Sequence, residues 1–458
     1  MAVTTSQHGM WSSKLAFLLA ATGSAVGLGN IWRFSYVTAE NGGGAFVLLY
    51  VACILAVGLP VMVAEILLGR AGRKSPVHSL LDLARESGAS RAWSLIGWAG
   101  ILAGILILSF YCVIAGWTLE YGVTYLAGLF RAGPAISEPG AHFGALTAST
   151  PRLLLWHGLF IVLTVVVVAR GVEKGLEKAV RLLMPALFLL LLALVGYGVT
   201  TGHFGEAVRY LFNPDFGRVN GGTLLAALGQ AFFSLSLGMA ALMAYGAYLP
   251  GDVSIPKVAG GVCVADTAVA LTAGLAIFPV VFAFGLDTKT AGPGLVFVAL
   301  PSAFAQMGLG GDLYGLAFFV LLAFAAWSST ISLLEGGTAY LVERGMGRVA
   351  AASTLGGLAG LLGVGSALGF TRWSEVRLLG RSILDFVNFL ASDLMLPLGG
   401  LAISVFAAGI LAERLRRSQL AGLPEPVYRA WRWLCLVAAP ILILLVFLGG
   451  LGLFGVRS

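Results

Sequence analysis

The feature that most constrains this chain is the recurrence of long apolar runs along almost its whole length. A membrane-spanning helix needs ~20 mostly apolar residues, and about eleven such runs are separated by short polar or Gly/Pro-marked breaks. They fall roughly at 14–36, 44–69, 91–128, 152–170, 179–200, 222–250, 258–284, 312–343, 348–368, 383–413 and 430–454, numbered here as spans 1 to 11. The runs are continuously apolar and do not alternate with a period of two, which excludes a transmembrane β-barrel. The expected fold class is an all-α polytopic membrane protein, a single transmembrane domain over 1–458 with no soluble domain left over. Composition agrees: 59% of the residues are hydrophobic and 11% charged, more apolar surface than a soluble domain of this length could bury.

Span 1 runs straight into Asn30 and Arg33 with no small-residue cleavage site, so it is expected to be retained and not removed as a signal peptide. Cys53, Cys112, Cys263 and Cys435 all fall inside spans, where cysteine acts as a small packing residue. The net charge of +7 is distributed unevenly. With the N-terminus placed in the cytoplasm, eighteen of the 28 Lys and Arg residues collect in the cytoplasmic segments, including Arg70, Arg73, Lys74, Arg348, Arg416 and Arg432. The positive-inside rule therefore favours a cytoplasmic N-terminus, an external C-terminus and a multi-pass protein in the lipid bilayer of an inner membrane. With the basic residues explained as topology, nucleic acid is not an expected partner. The histidines His8, His78, His142, His157 and His203 are scattered over loops and span ends without metal-ligand spacing or a partnered nucleophile, which argues against an enzyme.

Span 1 carries "GSAVGLGN", with Gly23, Gly27 and Gly29 before Asn30. A phosphate cradle does not fit, because no strand precedes it and no Lys-Ser/Thr follows. Two readings stay open: small-xxx-small packing through Gly23 and Gly27, or a helix unwound at mid-membrane, where freed carbonyls are tolerated only if they line a cavity or bind something. The positive ends of half-helices attract a carboxylate, and freed carbonyls suit a small hard cation. Five spans later "GQAFFSLSLGM" interrupts span 6 with Ser234, Ser236 and Gly238. Paired Gly-interrupted segments in corresponding positions of two halves point to a substrate site at a repeat interface. The repeats are expected at about 14–200 and 222–413, with an extra span at about 430–454. Ser328, Ser329 and Thr330 in span 8, and Asp266 in span 7, are polar groups at similar depth; an intramembrane acid is costly unless it is paired or coordinates an ion.

The strings "GSAVGLGNIWRF", "ENGGGAFVLLY", "GLPVMVAEILLGR", "GQAFFSLSLGM" and "SLLE", in this order, resemble the neurotransmitter:sodium symporter family, in particular its bacterial eleven-span amino-acid transporters. The resemblance implies two inverted five-helix repeats, with alternating access around an amino acid and two sodium ions and no organic cofactor. By motif position, one sodium would be held by the carbonyls of Gly23, Val26 and Ala325 with the hydroxyls of Ser328 and Ser329. The other would be held by the Ala25 carbonyl, Asn30, Ser234 and Asp266. Tyr111 matches the tyrosine whose hydroxyl binds the substrate carboxylate. Ser24, Ile107, Phe233, Ser236, Met239 and Leu333 would line the side-chain pocket, with Ala25, Gly27, Ser234 and Ser329 as further substrate contacts. This set implies a neutral, hydrophobic or aromatic L-amino acid, carried by a monomer or weak dimer.

The resemblance also implies gates. Arg33 would close the outer side with Gln230 and a span 10 acid, Asp393 or alternatively Asp385, and Phe233 would form the lid. Trp11, Tyr248 and Glu343 would close the cytoplasmic side. Four positions depart from the family pattern. His8 replaces a basic residue, which suggests a pH-sensitive His8–Glu343 pair; Ser35 replaces a proline; and Asn388 stands where some relatives carry the gating acid. Ala270 replaces a serine associated with chloride, while Asp266 supplies a negative charge of its own, so transport is expected to be independent of chloride. The alternative function is a proton-driven or uncoupled amino-acid carrier of the same fold.

Overall fold

The computed structural model describes residues 9–286, 293–307 and 309–450. Among the described residues nine helices are each long and apolar enough to cross a membrane: Gly44–Gly72, Arg91–Gly128, Thr150–Ala169, Val172–Thr200, Ile255–Ala283, Gly310–Glu343, Arg348–Leu368, Ile383–Ile410 and Glu425–Gly449. They correspond to spans 2 to 5 and 7 to 11. Span 1 is a broken pair, Lys14–Ala25 and Gly29–Glu40, bent by 58°. Span 6 is also broken, into Gly221–Ser234 and Ala241–Ala247 with residues 235–240 non-helical. Among the described residues there is no strand, only two isolated bridges.

Local chemistry accounts for where the broken spans start and stop. Ser13 caps the first half of span 1 by accepting from Ala16 N at 3.1 Å, and the helix ends where Val26 turns extended. Asn220 opens span 6 with a capping box to Thr223, satisfying two donors that a helix start leaves unpaired. Between its halves, Ser236, Gly238 and Ala240 all have positive φ (54°, 87° and 58°). For the two residues that carry a side chain this left-handed backbone costs about 1–2 kcal/mol each, so the break persists only because its surroundings hold it.

Spans 3 and 8 pack side by side along much of their length; both are apolar on nearly every face, as fully surrounded helices are. The outer ring turns Leu155, Val162, Leu182, Leu189, Leu192 and Leu361 outward, all more than half exposed. In a chain of this composition that belt is the lipid-facing surface. Short helices that the apolar pattern does not announce cover the ends of the bundle: Pro76–Glu86, Pro139–Thr147, Phe204–Phe212, Leu295–Gln306 and Glu413–Gln419. Span 10 ends at Ile410, short of the expected 413, because buried Arg416 donates to the carbonyls of Ala408 (2.7 Å) and Leu411 (3.2 Å) and caps the helix end. Span 11 begins earlier than expected, at Glu425, with the amphipathic turns "EPVYRAWRW".

Candidate functional site

The breaks in spans 1 and 6 meet spans 3, 8 and 10 around a small cavity of about 40 Å³. Its lining includes nine of the residues expected to contact substrate, namely Ala25, Gly27, Ile107, Tyr111, Phe233, Ser236, Met239, Ser329 and Leu333, and adds Gly29 and Leu396. Ser24 and Ser234 lie off this lining. The Ser24 carbonyl accepts from Ser236 Oγ at 2.9 Å, tying the two breaks together. Leu28 N donates to Tyr111 Oη at 3.0 Å. Gly27 is wedged between two hydroxyls: a Cβ there would come 2.7 Å from Ser329 Oγ and 2.9 Å from Tyr111 Oη. Only glycine lets backbone, tyrosine and serine converge at this point.

Two groups of oxygen atoms flank the cavity. In the first, Asp266 is fully buried and its carboxylate accepts from Asn30 Nδ2 (2.6 Å), Ser234 Oγ (2.7 Å) and Tyr50 Oη (3.2 Å). Asn30 Oδ1 in turn accepts from Gly27 N at 3.0 Å, so the asparagine bridges the carboxylate to the unwound backbone. In the second group, Ser329 Oγ donates to the carbonyls of Val26 and Ala325, both at 3.2 Å, and Ser328 Oγ donates to Ala325 at 3.0 Å. Gly23 packs beside Ser328, a Cβ there falling 3.2 Å from Ser328 Cβ and 3.3 Å from Met184 Sδ. Both groups offer hard oxygen donors, the chemistry of alkali and alkaline-earth cations. Among the described residues no group of three or more His, Cys, Asp and Glu side chains is placed to hold a metal ion.

On one side of the cavity, Arg33 donates to Gln230 Oε1 (3.3 Å) and to the Gly229 carbonyl (3.4 Å), and its guanidinium lies 4.7 Å from the centre of the Phe233 ring. Gln230 Nε2 donates to the Gly29 carbonyl at 2.9 Å. Asp393 shares two larger cavities with Arg33, of about 400 and 350 Å³, and Phe233 lines both of these and the central one. Asp385 lines the smaller of the two but is held by Ser382 Oγ at 2.6 Å at its helix start. Asn388 accepts from Ser392 Oγ at 2.9 Å, and Ser35 donates to the Ile31 carbonyl at 2.8 Å.

On the opposite side an aromatic group, Trp11 with Tyr245 and Tyr248, packs together. Trp11 is buried, its backbone N–H donating to the Tyr248 carbonyl and its indole to the Tyr245 carbonyl, each at 3.0 Å.

The profile of the Sodium:neurotransmitter symporter family matches residues 8–130 and 145–351. The chain belongs to this family. A Bacillus subtilis relative, described as the uncharacterized sodium-dependent transporter YhdH, is 38% identical over 97% of this chain and 98% of its own length. A Haemophilus influenzae sodium-dependent transporter, also uncharacterized, is 30% identical over 98% of this chain and 100% of its own. The crystal structure of MhsT in complex with L-phenylalanine superposes with a TM-score of 0.88 and 44% sequence identity, covering 96% of this chain and 99% of that one. The chain is therefore a sodium-dependent transporter with the inverted-repeat fold, and the family is one of transporters, not enzymes.

Within this symporter fold the end of the bundle around Trp11 and Tyr248 holds more charge than the sequence motifs suggest. Tyr248 Oη donates to Glu335 Oε1 at 2.7 Å, and Glu335 pairs with Arg348 at 2.5 Å while wholly buried. Ser12 is latched to the start of span 5, its backbone N–H donating to Glu177 at 3.0 Å and its hydroxyl accepting from Arg181 at 2.7 Å. Glu343, expected in the same closure, accepts from Ser75 N at 2.6 Å and lies 2.5 Å from His78 Nδ1, tying span 8 to the helix Pro76–Glu86. His8, the proposed partner for Glu343, lies outside the described residues. Sequence reasoning gave no role to Glu335, Arg348, Glu177, Arg181 and Leu396; Arg348, Glu177 and Arg181 stand near span ends, where charge reads as topology, Glu335 stands in the "SLLE" string without an assigned partner, and Leu396 sits in a short apolar string.

Proposed function

We infer that the chain is a sodium-coupled symporter that imports a neutral, hydrophobic or aromatic L-amino acid by alternating access, without need of chloride. The observation that carries this reading is the cavity itself. Its polar groups, the Tyr111 and Ser329 hydroxyls and the backbone of Gly27, gather where a carboxylate would sit, and Ile107, Phe233, Met239 and Leu333 supply apolar walls with no charged side chain among the lining residues. A buried cationic or anionic substrate side chain would need a partner there. The L-phenylalanine bound to MhsT fits the same expectation.

Two sodium ions are assigned as co-transported ligands. One would take the Ala25 carbonyl, Asn30, Ser234 and Asp266; the other would take Gly23, Val26, Ala325, Ser328 and Ser329. The hydroxyl-to-carbonyl bonds of the second group supply donors already within one ion's reach of each other. Asp266 stands among Asn30, Ser234 and Tyr50 and gives the first site a fixed negative charge, which supports chloride independence. Sodium that completes the carboxylate site raises substrate affinity, and by linkage substrate raises sodium affinity equally. Arg33, Gln230, Phe233 and Asp393 form the outer gate in this reading, and Trp11, Tyr248 and Glu343 belong to the inner one. The chain acts as a single domain of a monomer or weak dimer in the bacterial inner membrane, with its N-terminus in the cytoplasm and C-terminus outside.

The test is uptake of radiolabelled L-amino acids into proteoliposomes under an inward sodium gradient, with potassium replacing sodium and gluconate replacing chloride. Concentrative uptake of leucine, phenylalanine or a similar substrate that needs sodium and is indifferent to chloride is expected. Uptake indifferent to sodium would bring forward a proton-driven or uncoupled carrier.

A further inference from the structure

Span 10 enters the central cavity at one residue. Leu396 is 2% exposed and lines the cavity beside Ser236 and Met239. It is held there by backbone packing: a Cβ on Gly238, the left-handed residue between Ser236 and Met239, would overlap the Leu396 carbonyl and come 2.9 Å from Gly400 N. Gly399 faces the Gly238 carbonyl in the same way. The span 6 break and span 10 therefore touch backbone to backbone, which fixes where the Leu396 side chain points. The straight α-helix of span 10 starts at Leu396 after a wide-turned segment, Phe389–Met395, and Pro397 follows, contributing no N–H to that wider turn.

Behind Leu396 lies the larger cavity of about 400 Å³, with apolar wall from Leu225 and Phe232 of span 6, Pro397 of span 10 and Val446 of span 11, and polar wall from Arg33, Glu40, Asn220 and Asp393. Among the lining residues only Phe233 and Leu396 are common to this space and the central cavity of about 40 Å³. Phe233 is tethered through Arg33; Leu396 is an apolar side chain and stands as the remaining partition.

We propose that Leu396 is a specificity-determining residue whose side chain separates the substrate pocket from the span 10–11 cavity and so limits the size of amino-acid side chain the transporter accepts. This rests on the central cavity being the substrate site. Truncating Leu396 removes three carbons from the partition and joins a small space to a larger one of mixed apolar and polar lining; enlarging it shrinks the small space further. A hydrophobic pocket discriminates by ~10–200-fold per methylene, so selectivity should move by about tenfold or more.

The experiment is sodium-dependent binding of leucine, phenylalanine, tryptophan and naphthylalanine to the purified full-length protein, comparing the parent with Leu396→Ala and Leu396→Phe. The expected result is a naphthylalanine-to-leucine affinity ratio that rises about tenfold or more in Leu396→Ala and falls comparably in Leu396→Phe. A merely structural role would weaken all ligands together and leave the ratios alone. Parent-like ratios in the folded variants, with sodium dependence intact, overturn the proposal. The two substitutions shift the ratio in opposite directions, so misfolding of one leaves the other as the test. If the parent binds none of these ligands in a sodium-dependent manner, the functional reading fails first and this proposal falls with it.

Discussion

Asn30 Nδ2 lies 2.6 Å from Asp266 Oδ1, a contact between residues 236 positions apart that joins the break in span 1 to the one acid buried in span 7. Asp266 holds the region together through three side-chain donors and would also supply the only full negative charge of the first cation site. Replacing it with asparagine keeps the shape and removes the charge. A hydrogen bond to a charged group contributes about 1.5–3 kcal/mol, so Asp266→Asn should raise the sodium concentration needed for half-maximal substrate binding by roughly 10–100-fold. An unchanged sodium titration would remove Asp266 from the site.

The second oxygen group makes a separate prediction. Ser328→Ala and Ser329→Ala each delete one neutral ligand near the Ala325 and Val26 carbonyls. Each should weaken sodium-dependent binding by about tenfold, in line with a net contribution of ~1–1.5 kcal/mol per hydroxyl. The two hydroxyls share Ala325, so the double variant should lose less than the sum of the singles. Strict additivity in a sodium titration would mean that they do not serve one ion.

How much of this was legible in the sequence depended on whether the signal was a polar residue in an apolar run. Gly23 to Asn30, Ser234, Asp266 and Ser328–Ser329 stand out against their surroundings because burying polar groups is costly, and the structure gathers them in two places. Leu396 carries no such contrast; "DLMLP" reads as more span, and its place in the pocket follows from a backbone contact with Gly238 that no local pattern encodes. The pairing of Glu335 with Arg348 was hidden for another reason. Glu335 lies two turns inside the end of span 8 and Arg348 opens span 9, where charge is expected for topology alone, and only the packing of Tyr248 shows that Glu335 is buried against a half-buried Arg348.

That packing can be tested. Tyr248 Oη donates to a carboxylate with no exposure, and Trp11 leans on the Tyr248 backbone. Tyr248→Phe removes the hydroxyl that donates to Glu335, shifting the equilibrium toward cytoplasmic opening by about 1.5–3 kcal/mol. A cysteine placed at Ala25 should then react faster with a cytoplasmic thiol reagent, by roughly tenfold. Glu335→Gln leaves Arg348 without its buried partner, which costs about 3–5 kcal/mol, and should open the same side further. Equal labelling in parent and both variants would show that this cluster braces the bundle without gating it.

The closest approach between spans 6 and 10 gives the sharpest steric prediction. Gly238 has φ of 87°, and a side chain there would overlap the Leu396 carbonyl. Gly238→Ala therefore meets two penalties at once, backbone strain of about 1–3 kcal/mol and a clash against backbone that cannot move without shifting span 10. Gly357 is the matched control: it lies in span 9, is exposed, and has open space where a Cβ would go. Gly357→Ala should change the thermal midpoint of the detergent-solubilised protein by little, equivalent to within about 0.5 kcal/mol. Gly238→Ala should lower it by several degrees and abolish sodium-dependent uptake, because the break in span 6 can no longer seat against span 10. Similar midpoints for the two variants would mean that the spans do not meet at Gly238 as closely as the structure places them.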